Sequence, residues 1–209
     1  MIAGLILAAG RSARLGRPKQ LLDLGGRPLL QHVIDTAGAA GLSEIVVVVG
    51  HRASEVSSAL TLPGGARILV NPDHESGQAS SLRLGLEALG PDVEGAEILL
   101  GDQPQVTAEA VAAVADAYRA SPSAPIVRAR YAAGWGYPVL LARTVWEEAM
   151  SLSGDLGARA LMFAHADVVV EAKVEGARPY DVDTWEDYRR LLRELGTPPS
   201  PSGGDPGTG

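Results

Sequence analysis

Short apolar runs bounded by turn residues alternate along this chain with stretches in which apolar positions recur every three or four residues. The runs Ile2 to Ala8, Glu44 to Val49, Arg67 to Val70, Glu97 to Leu100 and Pro125 to Arg130 predict strands, and Tyr137 to Leu141 predicts a further short one. Helical spacing predicts helices over Pro28 to Ala40, Ser54 to Leu60, Ser76 to Leu89, Thr107 to Ala120, Thr144 to Ser151, Ala158 to His165 and Thr184 to Leu195. Thr107 and Thr184 read as N-caps, because acidic residues follow each in the first turn: Glu109 after the one, Glu186 and Asp187 after the other. Alternation of this kind predicts an α/β fold of three layers, α/β/α, around a mainly parallel sheet. Ile45-Val-Val-Val-Val49 is apolar on both faces, so it should be a central strand covered by helices on each side.

Composition narrows the chemistry. Cysteine is absent, which excludes disulfides, thiol nucleophiles, iron–sulfur clusters and cysteine zinc sites. The four histidines, His32, His51, His74 and His165, lack metal-ligand spacing. A formal charge of −7 argues against a nucleic-acid partner, though a local basic loop can still hold a phosphorylated small molecule. The apolar start is too short to span a membrane and has no basic region before it, so a cytoplasmic protein without membrane association is expected. Residues 1–195 read as one domain, and 196–209, nearly all Pro, Gly, Ser and Thr, as a disordered tail.

Candidate chemistry follows the strand ends, where open α/β sheets bind ligands. After the first strand, Leu7-Ala-Ala-Gly10 leads into Arg11, Arg14, Arg17 and Lys19, a loop that offers backbone N–H groups and fixed positive charge to a polyphosphate. It is neither a Walker loop nor a dinucleotide fingerprint. Leu99-Leu-Gly-Asp-Gln-Pro104 puts Asp102 just past an apolar strand, where a carboxylate can hold Mg²⁺ over a triphosphate or simply form a turn. In Asp181-Val-Asp183 the two carboxylates face opposite ways in extended chain, so at most one shares a metal with Asp102. Asn71 to Gly85 is a polar turn entering a helix, suited to a nucleobase. Ala133 to Pro138 and Gly154 to Arg159 read as flexible turns that an acceptor or ordinary loops would both explain.

Taken in order, L-A-A-G-R-S-x-R-L-G-x-P-K-x-L-L, N-P with a downstream S-S-L, L-G-D-Q-P, G-Y-P-V-L, G-D-x-G-A-R and D-V-D-T-x-E-D-Y resemble the MobA-like nucleotidyltransferases, and within them most closely the molybdenum cofactor cytidylyltransferases. The resemblance implies a Rossmann-like nucleotidyltransferase fold, Mg²⁺ as cofactor, and transfer of CMP from CTP to a phosphorylated small-molecule acceptor, the molybdopterin form of molybdenum cofactor. It also implies molybdoenzyme maturation factors as partners. It places Leu7, Ala8, Ala9 and Gly10 at base and ribose with Gly77, Ser80 and Ser81, and Arg14 and Lys19 on the phosphates as catalytic groups. Asp102 and Asp183 become the metal ligands, and Gln103, Pro104, Tyr137 and Arg159 the acceptor site. Tyr137, Leu156 and Trp185 stand where the family usually has His, Lys and Pro, so the acceptor motifs have drifted while the phosphate motifs are intact. The shared loop and metal sites also suit a sugar or polyol phosphate acceptor, or a glycosyltransferase-like binder of nucleotide sugars.

Overall fold

The computed structural model describes residues 1–42 and 44–197, so the expected tail lies outside the described residues from 198 onward. Seven strands form the main sheet: β1 (Ile2–Ala8), β4 (Ile45–Val49), β5 (Ala66–Val70), β6 (Gly95–Leu100), β7 (Ile126–Tyr131), β8 (Gly134–Ala142) and β9 (Val170–Lys173), in the order β5-β4-β1-β6-β8-β7-β9. Only β8 runs against its neighbours, so the sheet is mainly parallel as expected. A two-stranded ribbon, β2 (Asp23–Leu24) with β3 (Arg27–Pro28), precedes α1 (Leu29–Ala39). The other helices are α2 (Ala53–Ser58), α3 (Gln78–Glu87), α4 (Ala108–Ala120), α5 (Trp146–Ser151), α6 (Ala158–Ala164) and α7 (Trp185–Glu194). Among the described residues no helix is long and apolar enough to cross a membrane.

The buried residues fall into three groups that follow from strand alternation. Ile6, Val47, Val49 and Leu99 face α1 and α4 on one side of the sheet, while Leu5, Val46, Val48 and Ile98 face α3, α5 and α6 on the other. The all-buried β4 confirms a central strand. A third cluster joins Leu15, Leu22, Leu24 and Leu29 to Val182, Tyr188, Leu191 and Leu192 of the α7 segment. It clamps the chain after β1 against the chain before α7. The Tyr188 hydroxyl adds a bond to the Asp23 carbonyl. Both expected N-caps form: Thr107 accepts from the Ala110 N–H, and Thr184 closes a full capping box with Asp187.

Two expectations need correction. The segment Ala133 to Pro138, read as a turn, is largely the first half of β8; at Gly136 a Cβ would stand 3.1 Å from the Arg178 side chain and 3.2 Å from the Tyr131 ring, so the glycine permits close packing instead of a bend. β9 and the β2/β3 ribbon were not expected, since Val170-Glu-Ala-Lys173 has two charged positions and the ribbon strands are only two residues each.

One core position is polar. Glu97 on β6 is fully buried with neither carboxylate oxygen bonded, and burial pushes its carboxyl well above the usual range, only partly countered by the Arg119 guanidinium. A raised folded value means that stability is full while Glu97 is protonated in both states, and falls as pH climbs from the ordinary glutamate range through the raised value. Glu97→Met is therefore expected to stabilise the fold by about 1–3 kcal/mol at pH 8, with the gain shrinking toward pH 5. Thermal melts of both proteins across that range test this; a gain that does not depend on pH would show that ionisation of Glu97 is not the cause.

Candidate active site

Strand order reverses between β1 and β6: from β1 the chain moves to β4 and β5 on one side, then crosses to β6 on the other. The crevice at the carboxyl ends of these two strands is where such sheets hold ligands. It is a cavity of about 360 Å³ floored by Leu7, Ala8, Ala9 and Gly10, with Lys19 and Asp102 at one end and Gly77 and Ser81 at the other.

Lys19 links three parts of the chain. Its Nζ donates to Asp102 Oδ2 at 2.5 Å and to Asp183 Oδ1 at 2.6 Å, joining the turn after β1, the end of β6 and the segment before α7. The third apolar cluster makes this possible by packing the flanks of Lys19 and Asp183 together. The Asp102 carbonyl accepts from the Val182 N–H at 3.0 Å, which fixes the two carboxylate-bearing segments in register. Burial works against the Lys19 ammonium, but the Asp102 and Asp183 carboxylates outweigh it and hold its pKa above the ordinary lysine value. Burial likewise raises the Asp102 carboxyl, with Lys19 opposing and Asp181 and Asp183 reinforcing the shift.

The donor set suits a hard divalent cation. Two carboxylates drawn to a single cationic centre match magnesium's use of one or two carboxylates completed by phosphate oxygens and water, although only Asp102 of the two lines the cavity. Among the described residues no group of three or more His, Cys, Asp or Glu is placed to hold a metal. Asp183 Oδ1 meets the Lys19 ammonium, whereas Asp181 Oδ1 accepts from Gln103 Nε2 at 2.7 Å.

At the far end of the cavity, Gly77 adopts a φ of +106°, and a Cβ there would come within 2.2 Å of the Gly154 backbone. The Gly154 carbonyl accepts from the Ala79 N–H at 3.0 Å, so the loop before α6 lies directly on the N-terminus of α3 and brings Asp155 to the cavity wall. Asn71 Nδ2 donates to Ser80 Oγ at 2.8 Å and to Ser81 Oγ at 2.9 Å. Ser81 lines the cavity; Ser80 turns its single O–H toward the Gly77 or the Asp73 carbonyl and borders a neighbouring surface hollow. Arg14 also stands apart from the expected cluster, with its side chain 73% exposed at the rim and Nη1 4.0 Å from Asp183 Oδ2. Arg11 lines the cavity in its place, paired to Glu75 at 3.1 Å.

A second cavity of about 300 Å³ shares Leu100 with the first, and its wall includes Gln103, Trp135, Tyr137, Arg159, Arg178 and Asp181. Three of the four expected acceptor residues therefore meet here, while Pro104 lines neither cavity. Arg159 lies over the Trp135 ring at 5.5 Å, and Arg178 Nη1 donates to the Trp135 carbonyl at 3.4 Å. Burial, reinforced by Asp181 and Asp102, raises the Tyr137 hydroxyl far above its usual range and keeps it protonated.

The MobA-like NTP transferase domain model matches residues 4–168. The chain belongs to this family. It is 41% identical to Rv0371c from Mycobacterium tuberculosis H37Rv, covering 92% of this chain and 97% of that one with a TM-score of 0.83; another structure of that protein is a complex with manganese. It is 26% identical, with a TM-score of 0.75, to a nucleotidyl transferase from Methanothermobacter, covering 93% and 97% of the two chains. Among curated proteins it is 37% identical over 132 residues to the bifunctional protein GlmU of Sorangium cellulosum, 60% of this chain but 28% of that protein. The chain spans about a quarter of the length of the curated relatives it matches.

In this MobA-like chain the loop after β1, Asp102 and the second cavity's Tyr137 and Arg159 lie within the matched residues, while Asp181 and Asp183 lie beyond them, on the segment before α7. Arg11, read from the sequence only as one of the loop's basic residues, lines the first cavity together with Gln20, Gln78 and Asp155, to which sequence reasoning gave no individual role. Gln20 had a signal in its place directly after Lys19 and Asp155 one in the G-D-x-G-A-R turn, but that Asp155 reaches the first cavity depends on the contact between two distant glycines.

Proposed function

We propose that the chain is a divalent-metal-dependent nucleotidyltransferase that transfers CMP from CTP to the molybdopterin form of molybdenum cofactor and releases pyrophosphate. The observation that carries the transferase reading is the Lys19–Asp102–Asp183 cluster at the edge of a cavity floored by Leu7 to Gly10. Asp102 and Asp183 would hold Mg²⁺ or Mn²⁺, which when bound neutralises triphosphate charge. Arg14 at the rim and Lys19 inside would hold the phosphates. The acceptor, seated in the second cavity by Tyr137, Arg159 and Gln103, would present a phosphate oxygen to the α-phosphorus. The new P–O bond forms as the bond to the pyrophosphate oxygen breaks, so the catalytic gain comes from alignment and fixed charge.

A sugar or polyol phosphate acceptor is the second reading, favoured by Tyr137, Leu156 and Trp185 at acceptor-side positions where the family pattern differs. A nucleotide-sugar binder that does not activate phosphorus would leave Lys19 without a task. Maturation factors for molybdoenzymes are the protein partners that the first reading entails. Four triphosphates crossed with molybdopterin and a panel of sugar and polyol phosphates, scored by pyrophosphate release, separate the three. Pyrophosphate only with molybdopterin supports the first reading and pyrophosphate only with a sugar phosphate the second; tight nucleotide-sugar binding without any release supports the third.

Base choice is expected to turn on Ala9, which lines the cavity at the end of β1. In the family pattern a second Ala accompanies cytidylyl transfer and Gly guanylyl transfer, and the extra methyl takes space a purine needs. CTP is expected over GTP by about 10-fold or more in kcat/KM, within the 10- to 200-fold that such steric discrimination gives. Ala9→Gly should narrow the gap; equal use of both triphosphates by the unmodified protein would remove Ala9 from base selection.

A further inference from the structure

Gln20 is 2% exposed, sits in the 3-10 turn Lys19–Leu21, and lines the first cavity. Its Nε2 donates to the Ala8 carbonyl at 2.7 Å and to the Gly10 carbonyl at 3.2 Å, straddling Ala9. Its Oε1 is buried with no hydrogen-bond partner. Gln31, equally buried, shows what a purely structural glutamine does in this fold: its Nε2 bonds Asp35 Oδ1 and the Thr61 carbonyl, and its Oε1 accepts from the Thr61 N–H, so both ends are spent. Gln20 spends only its donors. A buried carbonyl oxygen left bare is costly, and native proteins keep few of them away from functional sites.

The two donor bonds also decide which way the nucleotide loop faces. A carbonyl held by Nε2 is turned toward Gln20, so the Ala8 and Gly10 oxygens are held back from the space a nucleotide would enter. Lys19 and Gln20 are adjacent in one short turn yet reach in two directions, the first to the carboxylates and the second to the loop. One turn therefore ties the geometry of the phosphate end to that of the nucleoside end.

We propose that Gln20 is a nucleotide-positioning residue: its amide N–H groups set the Ala8–Gly10 turn, and its free Oε1 accepts a hydrogen bond from an N–H or O–H donor of the bound nucleoside. This role rests on the nucleotide reading of the cavity. The test is calorimetric binding of CTP with Mn²⁺ to the unmodified protein, Gln20→Met and Gln20→Glu, with binding of Mn²⁺ alone and thermal melts alongside. Gln20→Met loses both donors and acceptor, and its Kd for CTP is expected to rise about tenfold or more, the loss of one or two hydrogen bonds, with Mn²⁺ binding little changed. Gln20→Glu turns a carboxylate on two carbonyls at pH 8 but can donate one O–H when protonated. Its Kd relative to the unmodified protein is therefore expected to recover as pH falls toward 5.5, a response that simple loss of packing would not give. Unchanged affinity in folded Gln20→Met overturns the role while leaving the nucleotide site standing. Absence of triphosphate binding by the unmodified protein overturns both. Should Gln20→Met fail to fold, a pH-independent defect in Gln20→Glu overturns the positioning role.

Discussion

Asp102→Asn is expected to reduce pyrophosphate release to background at ordinary Mg²⁺, a loss of roughly 10²-fold or more, while the fold survives. The position explains both halves of the expectation. Asp102 follows the last residue pair of a central strand, its carbonyl is fixed by the Val182 N–H, and its side chain is only 17% exposed, so an amide of the same size fits the same space. What Asn lacks is charge. Magnesium prefers hard anionic oxygen and gives up its water reluctantly, and a neutral amide supplies one oxygen without the field that holds the cation. The substitution also removes one of the two carboxylates that fix Lys19, leaving the ammonium to the half-exposed Asp183. Titration with Mn²⁺ in the absence of nucleotide separates the effects: weaker metal binding by Asp102→Asn accompanies lost turnover if Asp102 is a ligand. Full activity of the variant at low magnesium would rule that role out.

How much of this was legible in the sequence depends on the range of the forces involved. The sheet was readable because Ile45 to Val49 and the other apolar runs carry their own periodicity, and each helix cap is settled within four residues, as Thr184 and Asp187 show. That the loop after β1 and Asp102 line one cavity was readable because both directly follow adjacent strands. The alternation of Asp181 and Asp183 gave two opposed faces, but which carboxylate met Lys19 was decided by Val182 and Tyr188 packing against Leu15, Leu22 and Leu24, more than 150 residues earlier in the chain. Arg14 was readable as basic charge, not as a rim residue, since loop trajectory is set by tertiary packing. The placement of Trp135, Arg178 and Asp155 was unreadable for the same reason: β8 is drawn along β7, with the Tyr131 hydroxyl bonded to the Tyr137 carbonyl at 2.8 Å, and the Gly77–Gly154 contact closes a loop onto a helix 77 residues away. Neither contact leaves a mark on its own stretch of sequence.

Lys19→Ala is expected to lower turnover by roughly 10²-fold or more, because removing one preorganised charge from a transition state costs about 3–4 kcal/mol. The Lys19 side chain is only 13% exposed, so its ammonium is largely desolvated and would pay little reorganisation as charge develops on the leaving pyrophosphate. Its pKa, held above the ordinary lysine value by the two carboxylates, keeps it charged throughout the neutral range, so the defect should be nearly the same from pH 6 to pH 9. Stability is the competing explanation, since the substitution leaves Asp102 buried beside Asp183 without their shared counter-ion. Lys19→Met keeps most of the side-chain volume without the charge, so equal losses in Lys19→Ala and Lys19→Met would place the effect on the ammonium, not on packing. Lys19→Arg keeps the charge but spreads it over a planar fork that does not fit between two oxygens spaced for one nitrogen, and it should recover only part of the rate. Turnover near that of the unmodified protein in a folded Lys19→Ala, measured by pyrophosphate release at saturating triphosphate, would remove Lys19 from the reaction and leave it as a structural bridge between the nucleotide loop and α7.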